Sequence, residues 1–525
     1  MPASSRLRDL VGALSLANLV FLRLWMKLLP YAPGGGYYLA CSPRNSYLAA
    51  LLNVALWGCA CFLLLRLARR NGRAFPWLVL ALLALVGVTA LYGVALSYTS
   101  SAKLVFLLGA SNFLFLEVGC CLAGAALAAL LVKHRVRLAR LFPALPLLFS
   151  PFLVVTCGQS LAALARTEPA ARFRPHRVDP AGPLRNPLGM SVVWMIFDET
   201  DYRLCFDQRP AGYSFPAFDR VRAQSLWASR AYSPSDATQV SLPALLTGIP
   251  LQSAVPVGAR RLDLLPAGSR DRLDFAGQQN VFDRVKLRGG STALFGWYHP
   301  YARVMHGVDL CRDYPRYNFF TSDSLLRVLL FQWVEVLDLR FLPFSNTVLG
   351  NNQIGIVRDM QSDVLSAVKS QDPSFMFLHY SVPHSPNIYR RDSGSFGLNR
   401  SSRDGYLNNM ALADRCLAEL RAEMERKGSW ENALVIISSD HHWRTNTYDG
   451  VTDFEHVPFM VKFPHQAKEV SYDSRFNTVL TQDLILAVLD GGVQTPESAR
   501  DWLNRSLKRA PNGKVIFSIN QPDAD

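Results

Sequence analysis

Apolar residues crowd into roughly the first 165 positions of this 525-residue chain, and that segregation limits what it can fold into. Leu, Ala, Val and Phe dominate there, whereas the remainder mixes apolar residues with Asp, Arg, Ser and Pro in ordinary proportions. Five apolar runs can be drawn, at residues 10–29, 47–65, 75–96, 104–132 and 142–164. Each is near the ~20 residues that a helix needs to cross the hydrocarbon of a bilayer. A cleaved signal peptide would account for only one of them. The expectation is a five-helix transmembrane bundle over residues 1–166, a Pro- and Arg-rich linker over 167–190, and a separate domain over 191–525.

Loop charges orient the bundle. Arg6 and Arg8 precede the first run; Arg66, Arg69, Arg70 and Arg73 follow the second; Lys133, Arg135, Arg137 and Arg140 follow the fourth. The positive-inside rule puts these on the cytoplasmic side, so five crossings leave the second domain outside, on the periplasmic face of an inner membrane. Arg23 and Lys27 interrupt the first run near its outer end, where long side chains reach the interface. Much of the +14 net charge thus serves topology. Arg166, Arg172, Arg174 and Arg177 suit anionic headgroups, and no nucleic-acid-binding motif is present. Glu117, within the fourth run, is a costly intramembrane carboxylate, either functional or paired with a neighbour.

Of nine cysteines, only Cys205, Cys311 and Cys416 fall in the outer domain. One disulfide among them is compatible with an oxidising compartment, with the pair left open. None sits beside a base, which argues against a thiol nucleophile.

Beyond residue 191, strand-like and helical runs alternate. Strands are expected at 191–197, 374–379, 433–438 and 457–463, and helices at 216–224, 241–247 and 407–427. That alternation predicts an α/β domain with a mostly parallel sheet sandwiched by helices. The run V-V-W-M-I-F ends in Asp198-Glu199, and A-L-V-I-I-S-S ends in Asp440-His441. Between them lies S-D-A-T-Q-V-S-L-P-A-L-L-T-G, with Thr238 in a turn ahead of the helix. Strand C-termini of an open α/β sheet share one edge, so these groups can meet there. Taken singly, each is as ordinary as a solvated acidic loop or a helix cap; together they suit a metal-activated hydroxyl nucleophile.

These residues resemble the alkaline phosphatase/sulfatase superfamily over residues 191–491. Thr238 stands nine residues before Thr247 of Leu246-Thr247-Gly248, where sulfatases carry the cysteine that becomes formylglycine. Val240 and Leu242 replace the Pro and Arg of the sulfatase motif, which disfavours a formylglycine enzyme. The spacing of Thr238, Ser241 and Pro243 instead resembles the membrane phosphoethanolamine transferases, in which the threonine is the nucleophile. Five membrane helices before an outer domain is their layout too, shared with lipoteichoic acid synthase and other phosphoglycerol transferases. The resemblance implies Glu199, Asp440 and His441 as metal ligands, with Asp198 a ligand on the sulfatase pattern. It places His384 near the site, and His442 departs from the glycine usual there.

A divalent cation lowers the pKa of a threonine hydroxyl and orients it. Glu199, Asp440, His441 and the Thr238 oxygen form a four-ligand set suited to Zn²⁺, with Mn²⁺ the alternative. His456 is a further candidate ligand. His384 or His456 is expected to protonate a leaving group, hold a second metal or hold an acceptor hydroxyl. His299 and Arg303, in G-W-Y-H-P-Y-A-R, suit a phosphate or sugar, or else pack structurally; His379 is a site member or a structural histidine. The expected activity transfers phosphoethanolamine or phosphoglycerol from a phospholipid donor to an envelope glycan or lipid acceptor through a phosphothreonine. A phosphodiesterase or sulfatase-type hydrolase is the second reading, and an inactive membrane-tethered envelope regulator the third.

Overall fold

A computed structural model describes residues 3–29, 37–87, 89, 126–142, 144–167, 169–174, 176–315, 322–337, 344–399, 403–444 and 455–509. The chain forms two compact units. The first comprises Met1–Pro33, Cys41–Pro169 and Asn318–Ser345; the second comprises Gly34–Ala40, Ala170–Tyr317 and Asn346–Asp525.

The first unit is helical. Among the described residues, two helices are long and apolar enough to cross a membrane: Arg44–Arg69, with mean hydropathy 2.3, and Pro146–Arg166, with 1.7. Five such helices are not found in the described residues, for identifiable reasons. The first run divides at Phe21 into helices Ala3–Val20 and Leu22–Leu28, and Arg6, Arg8 and Asp9 dilute the first of these. The run at 75–96 is described only through residue 87 and at 89, as helix Ala74–Val86, while most of 104–132, including Glu117, lies outside the described residues. Helix Arg44–Arg69 buries Ala49, Ala50, Asn53, Gly58 and Cys61 and exposes Leu48, Leu52, Leu56, Leu63 and Leu67. Several small residues, together with Tyr47, Val54 and Leu65, face inward while most exposed positions are leucines, an arrangement that suits packing in lipid. A Cβ on Gly58 would come within 2.5 Å of Leu14, so a larger residue would push helix Ala3–Val20 away. Helix Leu325–Val336 joins this unit: Gln332 donates to the Ser46 carbonyl (2.8 Å) and Asn53 donates to Gln332 Oε1 (3.0 Å).

The second unit is built on a nine-stranded sheet. Its strands are β1 (Arg177–Val178), β2 (Val192–Phe197), β3 (Leu226–Ala228), β4 (Thr292–Trp297), β5 (Leu310–Tyr314), β6 (Phe375–Tyr380), β7 (Leu434–Ser438), β8 (Phe459–Lys462) and β9 (Val470–Tyr472). They lie in the order β1-β5-β4-β6-β2-β7-β8-β3-β9. Five pairings are parallel, but β1–β5, β7–β8 and β8–β3 are antiparallel, so the sheet is mixed. Strand direction leaves no mark on an apolar run, which is why the sequence predicts a more uniformly parallel sheet. The strand expected at 457–463 is also split, Val457 pairing with Ala231 in a small sheet and Phe459–Lys462 joining the large one.

All six residues of β2 are buried, and they alternate between two cores. Val193, Met195 and Phe197 face one; Val192, Trp194 and Ile196 face the other. A strand covered on both sides needs an unbroken apolar sequence, as V-V-W-M-I-F is. Helix Thr238–Thr247 packs Leu242, Leu245 and Leu246 into the second core. Gly248 ends it at φ 69, and a Cβ there would approach Gln482 Oε1 to 2.4 Å. Cys205, Cys311 and Cys416 are buried free thiols, so no disulfide joins any two of them.

Candidate metal centre

Parallel register brings the predicted residues to one sheet edge. β6 and β7 flank β2, with Ile196 opposite both His379 and Ser438. Asp198 therefore leaves β2 beside Asp440, two residues past the end of β7. Several hydrogen bonds tie these strand ends together. Glu199 N donates to Asp440 Oδ1 (3.1 Å), Thr200 N to Ser439 Oγ (2.8 Å), and Ser439 Oγ to the Phe197 carbonyl (2.7 Å). Glu199 sits at φ 69, a left-handed conformation that costs a non-glycine residue of order 1 kcal/mol or more. Its carbonyl accepts from Tyr406 Oη (2.8 Å), which helps to hold that turn.

Thr238 is the first residue of its helix rather than part of a preceding turn. Ser241, one turn on, donates to the Asp440 carbonyl (2.6 Å) and so fixes the helix start against the β7 end. The Thr238 hydroxyl then lies 3.3 Å from His441 Nε2.

Asp198, Asp440 and His441 are fully buried, and each offers a ligand atom within 4.8 Å of the others. Both Asp198 oxygens and Asp440 Oδ2 lack a hydrogen-bond partner among the described residues. His441 Nδ1 lies 2.8 Å from the His442 carbonyl, which can only accept, so the ring proton points there. The Nε2 lone pair of the neutral ring then faces Asp440 Oδ2 at 3.5 Å and Asp198 Oδ1 at 3.6 Å. These separations exceed a hydrogen bond. They are near the ~3.4 Å between two ligands that share a tetrahedral cation at ~2.1 Å. Burying two carboxylates side by side is costly without a compensating charge. Burial and Asp440 push Asp198 well above the ordinary carboxylate range. Burial also acts to raise Asp440, but His441 and His379 outweigh it and draw it down. His441, which burial would lower, is raised by Asp440 and Asp198. The donor set fits a divalent cation.

The other predicted residues surround this cluster in different ways. The Glu199 carboxylate, raised by burial, is 3.7 Å from Arg444 Nε and outside the three-residue group. His379 is fully buried, with Nε2 3.6 Å from Asp198 Oδ2; burial lowers its pKa. His384 donates its backbone N–H to the Asp198 carbonyl (3.2 Å), and its ring lies beside Trp297. His299, which burial lowers to about 3, is 3.4 Å from the Thr238 carbonyl through Nε2 and 3.0 Å from Tyr37 Oη through Nδ1. Arg303 donates to the carbonyls of Tyr37 (2.6 Å) and Leu39 (3.1 Å). His456 Nε2 is 2.6 Å from Tyr232 Oη, which also accepts from Arg475. His442 is buried and lowered to about 4 by that burial.

Tyr37, Ser241, Ser439, Tyr406 and Arg444 were not singled out for these roles from sequence. Ser439 and Arg444 flank Asp440-His441, so proximity to that pair was the available signal. Nothing local marks Tyr37 or Tyr406, whose partners are 262 and 207 residues away.

A sulfatase family model matches residues 192–490. No curated protein sequence matches the chain. Among solved structures, a phosphonate monoester hydrolase of Agrobacterium radiobacter is 14% identical, over 58% of this chain and 74% of that one, with a TM-score of 0.39. An alkaline phosphatase superfamily protein from Vibrio parahaemolyticus is 15% identical over 61% and 72%, with a TM-score of 0.40. A 2-O glycosaminoglycan sulfatase is 14% identical over 58% and 71%, with a TM-score of 0.38.

Proposed function

This chain belongs to the sulfatase family through residues 192–490, and from that premise we propose a membrane-anchored, cation-dependent transferase with Thr238 as its nucleophile. Hydrolysis or phosphoryl transfer is the chemistry of the family. The specific reading is transfer of phosphoethanolamine or phosphoglycerol from a phospholipid to an envelope glycan or lipid. One observation carries it: the Thr238 hydroxyl, at a helix N-terminus, lies 3.3 Å from His441 beside two buried carboxylates without sufficient partners.

Asp198, Asp440 and His441 would hold the cation, with Thr238 and Glu199 completing its surroundings; Zn²⁺ suits the set and Mn²⁺ is the alternative. When bound, such an ion lowers the pKa of a coordinated hydroxyl and offsets phosphoryl charge. Ser241 fixes the nucleophile's helix, whose N-terminal dipole favours an approaching phosphate. Thr238 Oγ, its proton released to solvent, forms the new bond to phosphorus as the bond to the diacylglycerol oxygen breaks. His384, at the Asp198 edge, is assigned the proton that this oxygen takes up. An acceptor hydroxyl, giving its proton to His384, then attacks the phosphorus; the bond to Thr238 Oγ breaks and Thr238 takes a proton back from solvent.

The lipid donor is supported by the lipid-compatible helix Arg44–Arg69 and its outward leucines. A five-helix, multi-pass inner-membrane anchor with the second unit on the periplasmic side completes the proposal. Incubating purified protein, Zn²⁺ and phosphatidylethanolamine or phosphatidylglycerol is expected to release diacylglycerol, and Thr238→Ala should reduce this at least ~10³-fold. Release that needs no acceptor would favour the hydrolase reading. Zinc uptake without turnover of either lipid would count against the lipid donor, and absence of cation binding would favour an inactive regulator.

A further inference from the structure

We propose that helix Leu325–Val336 inserts into the bilayer and presents a leucine face to lipid acyl chains. The inference rests on the membrane-anchor reading above and is independent of the cation site.

In sequence this helix falls between β5 and β6, strands of the second unit, yet it packs within the first. Polar side chains hold it there. Asn45 Nδ2 donates to the carbonyls of Ser322 (3.1 Å) and Asp323 (2.9 Å), just before the helix. Further along, Asn53 Nδ2 donates to the Leu329 carbonyl (3.1 Å), and Trp333 Nε1 donates to Asn53 Oδ1 (3.2 Å). Together with the Gln332 bonds to Ser46 and Asn53, this network pins the helix along Arg44–Arg69. Trp333 also packs edge-on against Trp57 and Phe21. Amide side chains bonded between helices are a means of association in lipid.

The outer side of the helix is apolar. At ~100° per residue, Leu326, Leu330 and the C-cap Leu337 fall within ~40° of one another. They are 67%, 62% and 40% exposed, whereas Val328, Gln332 and Val336 are buried. Single exposed leucines are ordinary on a protein surface. Here three aligned leucines lie beside a second row, because the exposed Leu52 and Leu56 immediately precede Asn53 and Trp57 of the seam. The apolar surface therefore continues from a helix that is long and apolar enough to cross a membrane. The 12 residues of Leu325–Val336 rise only ~18 Å, against ~30 Å of hydrocarbon, so this helix enters one leaflet without crossing. Asp323, Ser324 and Arg327 are exposed around its N-terminus, where a polar end meets headgroups.

The test reconstitutes full-length protein in phosphatidylcholine vesicles whose acyl chains carry a diazirine, followed by irradiation and peptide mass spectrometry. Adducts are expected on Leu326, Leu330 or Leu337 as well as on the exposed leucines of Arg44–Arg69. Hydroxyl radicals generated in the water should leave the same three leucines unoxidised. Adducts on Arg44–Arg69 with residues 325–337 unlabelled would overturn this inference alone. Oxidation would then assign the leucine face to water, and protection from both reagents would assign it to a second copy of the chain. Absence of adducts on both helices would overturn the membrane-anchor reading as well.

Discussion

Thr238 is chemically unremarkable in isolation, because a hydroxyl at neutral pH is almost fully protonated and a weak nucleophile. Its proposed role depends on His441 and on Asp198 and Asp440, whose buried carboxylates keep oxygens without a hydrogen-bond partner among the described residues. Two buried carboxylates should make the cation-free protein the less stable form. Chelation is therefore expected to lower the thermal midpoint, and Asp198→Asn, which removes one charge, should shrink that difference. Equal midpoints for chelated and for Zn²⁺-saturated protein would count against the pocket as a cation site. At this scale the sequence was informative where an apolar run ended in an acid, as at Asp198 and Asp440. Tyr37 was beyond it, since a tyrosine in a loop between apolar runs carries no sign that it will meet His299.

Elements carry the next level of constraint. The short helix Pro216–Arg222 is capped across space: Asp414 Oδ1 accepts from Ala217 N and Phe218 N, both at 2.9 Å. Burial raises the Asp414 carboxyl from 3.8 to about 6 despite those bonds. The folded state thus holds this proton more tightly than the unfolded one. Its contribution is fully present below pH ~4 and is lost as pH rises through about 6, a difference of about 3 kcal/mol. Asp414→Asn keeps the acceptor without the charge. The variant should gain stability relative to wild type by up to ~3 kcal/mol between pH 4 and pH 7, measured by thermal or denaturant unfolding. A difference independent of pH would refute the assignment. Helix and strand positions were legible because periodicity records them: 407–427 was expected to be helical, and Arg403–Lys427 is. Strand direction was not, since β8 reads the same whether it runs parallel or antiparallel to β7.

Across the whole molecule, each compact unit contains a segment from the other's stretch of sequence. Gly34–Ala40 belongs to the second unit and Asn318–Ser345 to the first. Neither exchange is legible in the sequence, where residues 31–46 simply separate the first two apolar runs and residues 318–345 fall within the expected outer domain. The exchange has a practical consequence for a fragment spanning residues 170–525. It would lack Tyr37 and Leu39, the partners of His299 and Arg303. It would also uncover Val328, Gln332 and Val336, which are buried in the first unit. Such a fragment is expected to require detergent and to melt below the full chain; a monodisperse, equally stable fragment in plain buffer would contradict this.

The central claim, a covalent transfer through Thr238, is tested most directly by intact mass of full-length protein after incubation with mixed phospholipids and Zn²⁺. The account predicts a gain of one phosphoethanolamine or phosphoglycerol on wild type, mapped to the Thr238 peptide, and none on Thr238→Ala. An adduct that persists on Thr238→Ala, or lipid turnover by that variant at the wild-type rate, would contradict it.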